Sequence, residues 1–369
     1  MSSSDVTRHG LRGTRPGRDA VPGAAGPSGA SGRWRRGKGG ERPMVPRAEF
    51  GSYYGRPVLK LPVWEPLEIA GYFFLGGLAA GSSLLAAGAD VTGRPALSRV
   101  AKAGAATAIS LSMAALVKDL GRPGRFLNML RVFKVTSPMS VGTWVVSGYA
   151  PSAIVAGVCA LTGRLPEAGA AATGTAAILA PAVASYTAAL IGDTAVPAWH
   201  EGYPEMPFIF TGSASMAAGG LGLLGAPLAE TVPARNLALI GYAMEASAFE
   251  RMRHRTGLTA ETYTQGRAGN YLKAGQVLAA LGATGALLSS TGPLPGRVRR
   301  VVAGLSGTAL MSASAATRFG IFHAGVASAA DPKYTVVPQR QRLTEREEAG
   351  FGRSAPATDT ASSDTASSH

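Results

Sequence analysis

Residues 67–89 read LEIAGYFFLGGLAAGSSLLAAGA, with a single charge, Glu68, at the very start. A helix crossing the hydrocarbon core of a bilayer takes about 20 mostly apolar residues, so this stretch alone is long enough to span one. Seven further apolar stretches follow, at 97–117, 139–162, 170–192, 207–228, 235–249, 271–290 and 301–326. Lys, Arg, Asp and Glu are sparse inside them and crowd between them. The pattern predicts an all-α integral membrane protein of about eight transmembrane helices. The stretches are rich in Ala and Gly rather than Leu and Phe. Small residues let membrane helices approach closely, and Gly77 and Gly81 have the four-residue spacing of a packing seam.

The chain divides by composition. Residues 1–60 are rich in Gly, Pro, Ser and Arg, carry no apolar period, and hold twelve Lys/Arg against four Asp/Glu. They read as a disordered basic arm, without the apolar core of a cleavable signal peptide. A basic arm beside a membrane meets anionic lipid or helps set topology, so no nucleic-acid partner is expected. Residues 61–330 form the transmembrane domain. Residues 331–369 form a polar tail, expected to be disordered after about 340.

Eight spans put both termini on one side, with the loops at 118–138, 193–206 and 250–270. That side carries five Lys/Arg in 118–134, five in 250–273 and five in 317–346. The opposite side has Arg94, Arg99, Lys102, Arg164, Arg235, Arg297, Arg299 and Arg300. The basic arm widens the difference. The positive-inside rule then places both termini and the longer loops in the cytoplasm, with the chain in the plasma membrane.

Three stretches stand out. The first is Asp119-Leu120-Gly121-Arg122-Pro123, then Phe126-Leu127-Asn128, then Ser137-Pro138-Met139-Ser140-Val141-Gly142-Thr143-Trp144. Its early part reads as a short interfacial helix, with Phe126, Leu127, Leu130 and Phe133 facing lipid or the bundle and Arg122, Arg125 and Lys134 facing water. Ser137-Pro138 then starts the third span. The second is Tyr72-Phe73-Phe74-Leu75-Gly76-Gly77-Leu78-Ala79-Ala80-Gly81. The third is Ser185-Tyr186-Thr187 followed by Asp193-Thr194-Ala195-Val196-Pro197-Ala198-Trp199-His200-Glu201. Together they resemble the NrfD/PsrC family, the membrane subunits of polysulfide-reductase-like complexes, over roughly 64–340. The ending Arg318-Phe319-Gly320 with Asp331-Pro332-Lys333-Tyr334 is similar to an actinobacterial-type branch. The resemblance implies two four-helix bundles side by side. It also implies a quinone-reactive membrane anchor that exchanges electrons between the quinone pool and an iron–sulfur, ferredoxin-like subunit, with a molybdopterin catalytic subunit completing the complex.

The residues themselves agree. None of the five histidines, His9, His200, His254, His323 and His369, lies mid-span opposite another, so a bis-histidine haem is not expected. One cysteine, Cys159, cannot ligate an iron–sulfur cluster. A quinone pocket remains, since it needs only a cleft and a few polar groups. Menaquinone and ubiquinone both stay open.

Glu68 and Tyr72 lie four apart and share a face near the start of span one. Tyr186 lies in span four with Asp193 seven residues on, near the same membrane surface. By resemblance Tyr186 takes the place of a quinone-bonding tyrosine, and Tyr72 falls where some members have a histidine. The expected quinone site is therefore Tyr186, Tyr72, Glu68 and Asp193. The expected proton relay is Glu245, Asp119 and His200, Glu245 because a carboxylate inside a span is costly and functional by default. Arg318 and His323 are expected to snorkel to the cytoplasmic surface. The competing reading is a transporter or proton channel independent of redox. Repeats or broken helices would favour it, but no repeat is evident and the Gly/Pro breaks fall mostly in loops.

Overall fold

The computed structural model describes residues 58–62, 64–119, 124–291 and 295–351, with the backbone of residues 6–7 and 10–11. Those last form a two-residue antiparallel pair, Val6–Thr7 with Gly10–Leu11. The rest of the expected basic arm, and the tail past Phe351, lie outside the described residues.

Every apolar stretch becomes a long helix. They are α1 (Pro66–Val91), α2 (Pro95–Asp119), α4 (Pro138–Thr162), α5 (Pro166–Gly192), α7 (Met206–Gly225), α8 (Val232–Arg255), α10 (Gly266–Thr291) and α11 (Gly296–Ala330). Short helices α3 (Gly124–Met129), α6 (Pro197–Glu201) and α9 (Glu261–Thr264) lie in the connections, and α12 (Lys333–Phe351) follows α11. Proline opens many of these helices. Its missing N–H costs nothing in the first turn, where that donor has no helical partner. At α4 the reading of Ser137-Pro138 as a start holds, with the Ser137 hydroxyl accepting from the Ser140 amide at 3.5 Å.

Six helices, α1, α2, α4, α5, α7 and α10, are long and apolar enough to cross a membrane. The chain is an all-α, multi-pass membrane protein. The other two, α8 and α11, are as long but carry more charge, including Glu245 and Arg318 within their middle turns.

The contacts sort the eight long helices into two rings. In the first, α1, α2, α4 and α5 each touch two neighbours. In the second, α7, α8, α10 and α11 do the same. The rings meet along α1 and α7. These two are the most enclosed spans, with 78% and 72% of their apolar windows buried, against 28–39% for the other four. Small residues make that seam. A Cβ at Gly81 would lie 2.5 Å from the Ala214 carbonyl oxygen, closer than real Cβ atoms come. Within the second ring, Gly212 and Gly241 bring α7 and α8 backbone to backbone in the same way. Hydroxyls tie further pairs: Ser83 to Tyr149 at 2.8 Å across α1 and α4, and Ser213 to Ser314 at 2.8 Å across α7 and α11. Pro151 and Pro181 sit inside α4 and α5, which continue through them.

The segment entering α1 and the helix following α11 approach the same face. Trp64, entering α1, stacks on Trp199 of the 193–206 loop at 5.8 Å between ring centres. The polar tail begins as helix α12, which runs past residue 340 to Phe351. In α12, Lys333 pairs with Glu261 at 2.9 Å and Arg342 with Glu201 at 3.6 Å, so the tail lies across the loops of that face.

Candidate functional site

The expected site begins at the terminal-side end of the first ring. Tyr72 lies six residues into α1 and Tyr186 six residues before the end of α5. At 1.5 Å of rise per residue each lies about 9 Å in from the same surface. Both rings join one apolar cluster with Ile69, Phe73 and Ile191. The Tyr186 ring is half-buried and rests on Gly142 of α4, where an added Cβ would collide with ring carbons Cε2 and Cδ2. The glycine of the Ser137–Trp144 stretch is thus the floor on which the tyrosine lies. The hydroxyls of Tyr186 and Tyr72 have no hydrogen-bond partner among the described residues. A free phenol beside an apolar cluster fits a headgroup that presents a carbonyl acceptor or a hydroxyl donor.

Around these rings the charges sit at the rim. Glu68 pairs with Lys118 at 2.6 Å, which fastens the start of α1 to the end of α2. Asp119 ends α2 within electrostatic reach of Glu68 and Glu65. Below them the Ser112 hydroxyl donates to the Tyr72 carbonyl at 3.2 Å. Glu68 and Tyr72 therefore share an edge as expected, but the tyrosine turns inward and the carboxylate outward to a lysine.

The 193–206 segment is a strap between the two rings. Asp193 caps α5 and is exposed, with no side-chain partner among the described residues. His200, exposed on α6, bonds through Nδ1 to the Gly192 carbonyl at 3.1 Å. A carbonyl only accepts, so Nδ1 is the donor in this bond. Trp199 is fully buried and donates from Nε1 to the Ile321 carbonyl at 2.8 Å, and the Ala198 amide donates to Ser328 at 3.2 Å. Tyr263 donates to the Ala198 carbonyl at 2.8 Å. Glu205, 3% exposed, takes two bonds from Arg255, at 2.8 and 2.7 Å, with Arg251 at 3.5 Å. Those guanidinium bonds hold its carboxyl below the ordinary carboxylate value against the opposing cost of burial. Arg255 also donates to the Glu201 carbonyl.

Glu245 sits apart from all of this. It lies in α8, ten residues from the helix end and about 15 Å deep. Thr317 donates to its Oε1 at 2.7 Å, while Oε2 is buried with no partner among the described residues. Arg318 does not snorkel. It is 1% exposed, its Nη2 donates to the Phe210 carbonyl at 2.6 Å, and its guanidinium lies 3.8 Å from the Phe210 ring centre. The reason is geometric: its place on α11 faces α1 and α7, where Gly77 leaves room for the head group, so the side chain ends inside the seam rather than at the surface. Nε and Nη1 of Arg318 are also unpartnered, with Glu245 in electrostatic range.

The structure thus brings Tyr186, Tyr72 and Glu68 to one end of the first ring, with Asp119 at its rim. It sets Asp193 and His200 on the strap beside that end and leaves Glu245 in the second ring. Arg318, Trp199 and Tyr263 were not singled out from the sequence as parts of the framework. Arg318 had a signal, since a charge within an apolar stretch is rarely idle. The roles of Trp199 and Tyr263 depend on which carbonyls they reach, which spacing does not reveal.

A family model described as polysulphide reductase, NrfD, matches residues 59–228. The stretches at 72–81, 119–144 and 185–201 fall inside that match, and the ending at 318–334 falls outside it. A search of curated proteins gave no match.

Proposed function

Because residues 59–228 form an NrfD-family domain, we propose that this chain is the quinone-reactive membrane anchor of a respiratory oxidoreductase complex. All eight long helices cross the plasma membrane, with both termini and the α12 face in the cytoplasm. An iron–sulfur subunit docks on that face and a molybdopterin subunit completes the complex. The observation that carries this reading is the Tyr186 hydroxyl, without a hydrogen-bond partner among the described residues and held over Gly142 beside an apolar cluster about 9 Å in from the docking face.

Tyr186 bonds a headgroup oxygen and fixes its orientation, and Tyr72 closes the apolar wall next to it. The quinone supplies two-electron chemistry: a quinol leaving as quinone gives up two electrons and two protons. The electrons go to the docked clusters, and the protons need acceptors. Glu68 and Asp119 at the rim and Asp193 and His200 on the strap are the ionisable groups within the same end of the ring. Glu245 serves a relay only through the second ring. The redox-independent channel reading draws no comparable support, since α4 and α5 run unbroken through their prolines.

Tyr186→Phe tests the assignment. It removes one hydroxyl and leaves the ring on Gly142. Loss of that bond costs about 1 kcal/mol, roughly fivefold in quinone turnover, with the complex still assembled. Unchanged turnover in an assembled Tyr186→Phe complex refutes the site.

A further inference from the structure

The second ring has one loose side. Of its four neighbouring pairs, α8 and α10 touch least. Between them, with α11 behind, lies a half-open cleft of about 400 Å³, within the range of small-molecule sites. At the back Thr317 bonds Glu245 at 2.7 Å, and the other Glu245 oxygen is buried. The opening itself is graded. Phe249, Leu272 and Ala279 make its apolar wall, and Glu250 and Arg253 stand at its mouth, on the side where α8 connects to α10. From Tyr242 to Arg253 the α8 wall is about 16 Å long, close to one leaflet of a hydrocarbon core about 30 Å thick.

Donors converge on the mouth. The chain runs towards the connection in α8 and away from it in α10, and each Cα–Cβ bond tilts towards the N-terminus of its helix. Arg253, near the end of α8, therefore starts inward along the cleft, and Lys273 and Gln276, in the first half of α10, start back towards the mouth. Arg253 meets Glu250 at 3.3 Å, and Glu250 is shared with His254 at 2.9 Å. Lys273 is exposed beside the lining, and neither it nor the Gln276 amide has a partner among the described residues. An amide left unpaired in hydrocarbon is costly. At the mouth two cations, Arg253 and Lys273, thus face one carboxylate. We propose that the cleft binds one anionic phospholipid from the leaflet on the α12 side. Its phosphate lies between Arg253 and Lys273, an ester carbonyl takes the Gln276 amide, and an acyl chain lies along Phe249, Leu272 and Ala279. A zwitterionic headgroup would bring its own ammonium to these cations, and a quinone has no charge to answer them. Basic pockets between membrane helices select anionic headgroups in this way. The site is independent of the quinone reading at Tyr186.

The full-length chain is placed in phosphatidylcholine nanodiscs doped with a small fraction of a probe lipid bearing a diazirine in its acyl chain, either phosphatidylglycerol or phosphatidylcholine. After photolysis, labelled peptides are mapped by mass spectrometry. The anionic probe is expected to label α8 and α10 about tenfold more than the zwitterionic one, a preference within what two cations confer. The lipid-facing Ile178 of α5, 80% exposed on a helix without Lys or Arg, reports the ordinary lipid shell, and its ratio should be near one. Arg253→Gln with Lys273→Gln should bring the α8 and α10 ratio down to that of α5, and Arg253→Lys should keep it. Glu250→Gln removes the opposing carboxylate and should raise it. Ala246→Leu, at an exposed lining position, narrows the cleft and should lower labelling of α10 by the anionic probe. Equal ratios on α10 and α5 in the wild-type chain overturn the proposal. So do selectivity that survives loss of both cations, a ratio that falls in Glu250→Gln, and α10 labelling unchanged by Ala246→Leu. Added short-chain ubiquinone should leave the labelling unchanged; if it displaces the anionic probe from α8 and α10, the cleft is a quinone site and the proposal is overturned.

Discussion

Gly142→Ala tests the link between a sequence stretch and the chemistry assigned to its neighbour. The added methyl would lie 2.5 Å from Cδ2 of Tyr186 and closer still to Cε2, where real Cβ atoms do not go below about 3.0 Å. A phenol ring cannot fold away, so the ring must tilt or α4 must retreat. Such overpacking costs about 1–3 kcal/mol. A tilt that displaces the hydroxyl by the order of 1 Å can cost up to about a hundredfold in rate where that hydroxyl positions the reacting group. The expected result is a tenfold or larger drop in quinone turnover of the assembled complex, greater than that of Tyr186→Phe. Gly148→Ala is the control on the same helix, because its Cβ would meet only the end of the Leu179 side chain, at 3.3 Å. The Gly142→Ala, Tyr186→Phe double variant should be no slower than Gly142→Ala alone, since both act through one ring. If Gly142→Ala turns over like Gly148→Ala, or if the two losses multiply, the ring on Gly142 is scaffold and the reasoning fails.

Other outcomes follow from the charges. Glu205 has a lowered carboxyl value in the folded chain, so its stabilising contribution is full above the unfolded carboxylate value of about 4.3 and is lost as pH falls through the folded value; thermal unfolding should become acid-sensitive in that window. Glu205→Gln should remove that sensitivity and cost about 2 kcal/mol at neutral pH by weakening the Arg255 clamp. Arg318→Met should destabilise the chain by about 1–3 kcal/mol in the same unfolding assay, because the buried Phe210 carbonyl loses its donor. A phosphatase fused after residue 340 should be inactive and a cytoplasmic fluorescent reporter bright; an active phosphatase would move the docking face to the outside.

The eight helices were legible because each needed only a long apolar run bounded by charges and proline. Ser137-Pro138 marked the start of α4 to the residue, since capping and proline placement are local rules. The Gly77–Gly81 seam was legible as a packing motif, although its partner, α7, was not. Two features were hidden for a common reason. Arg318 looked like a surface cation until α1 and α7 closed over it, and the fate of Glu245 depended on the loose contact between α8 and α10. Both follow from which helices meet, and neither periodicity nor spacing encodes that. The tail was expected to be disordered after about 340, and α12 instead runs to Phe351, with Lys333 and Arg342 finding carboxylates on the loops beneath.

In the function proposed above, this chain passes electrons between the quinone pool and a docked iron–sulfur subunit. The direct measurement is to purify the intact complex through a tag on this chain, add a quinol under anaerobic conditions, and follow the partner's clusters by electron paramagnetic resonance. Cluster redox state is expected to equilibrate with the quinol/quinone ratio, and Tyr186→Phe to slow this without changing subunit stoichiometry. A purified chain with no iron–sulfur partner, or clusters that never respond to the quinol/quinone ratio, would contradict it.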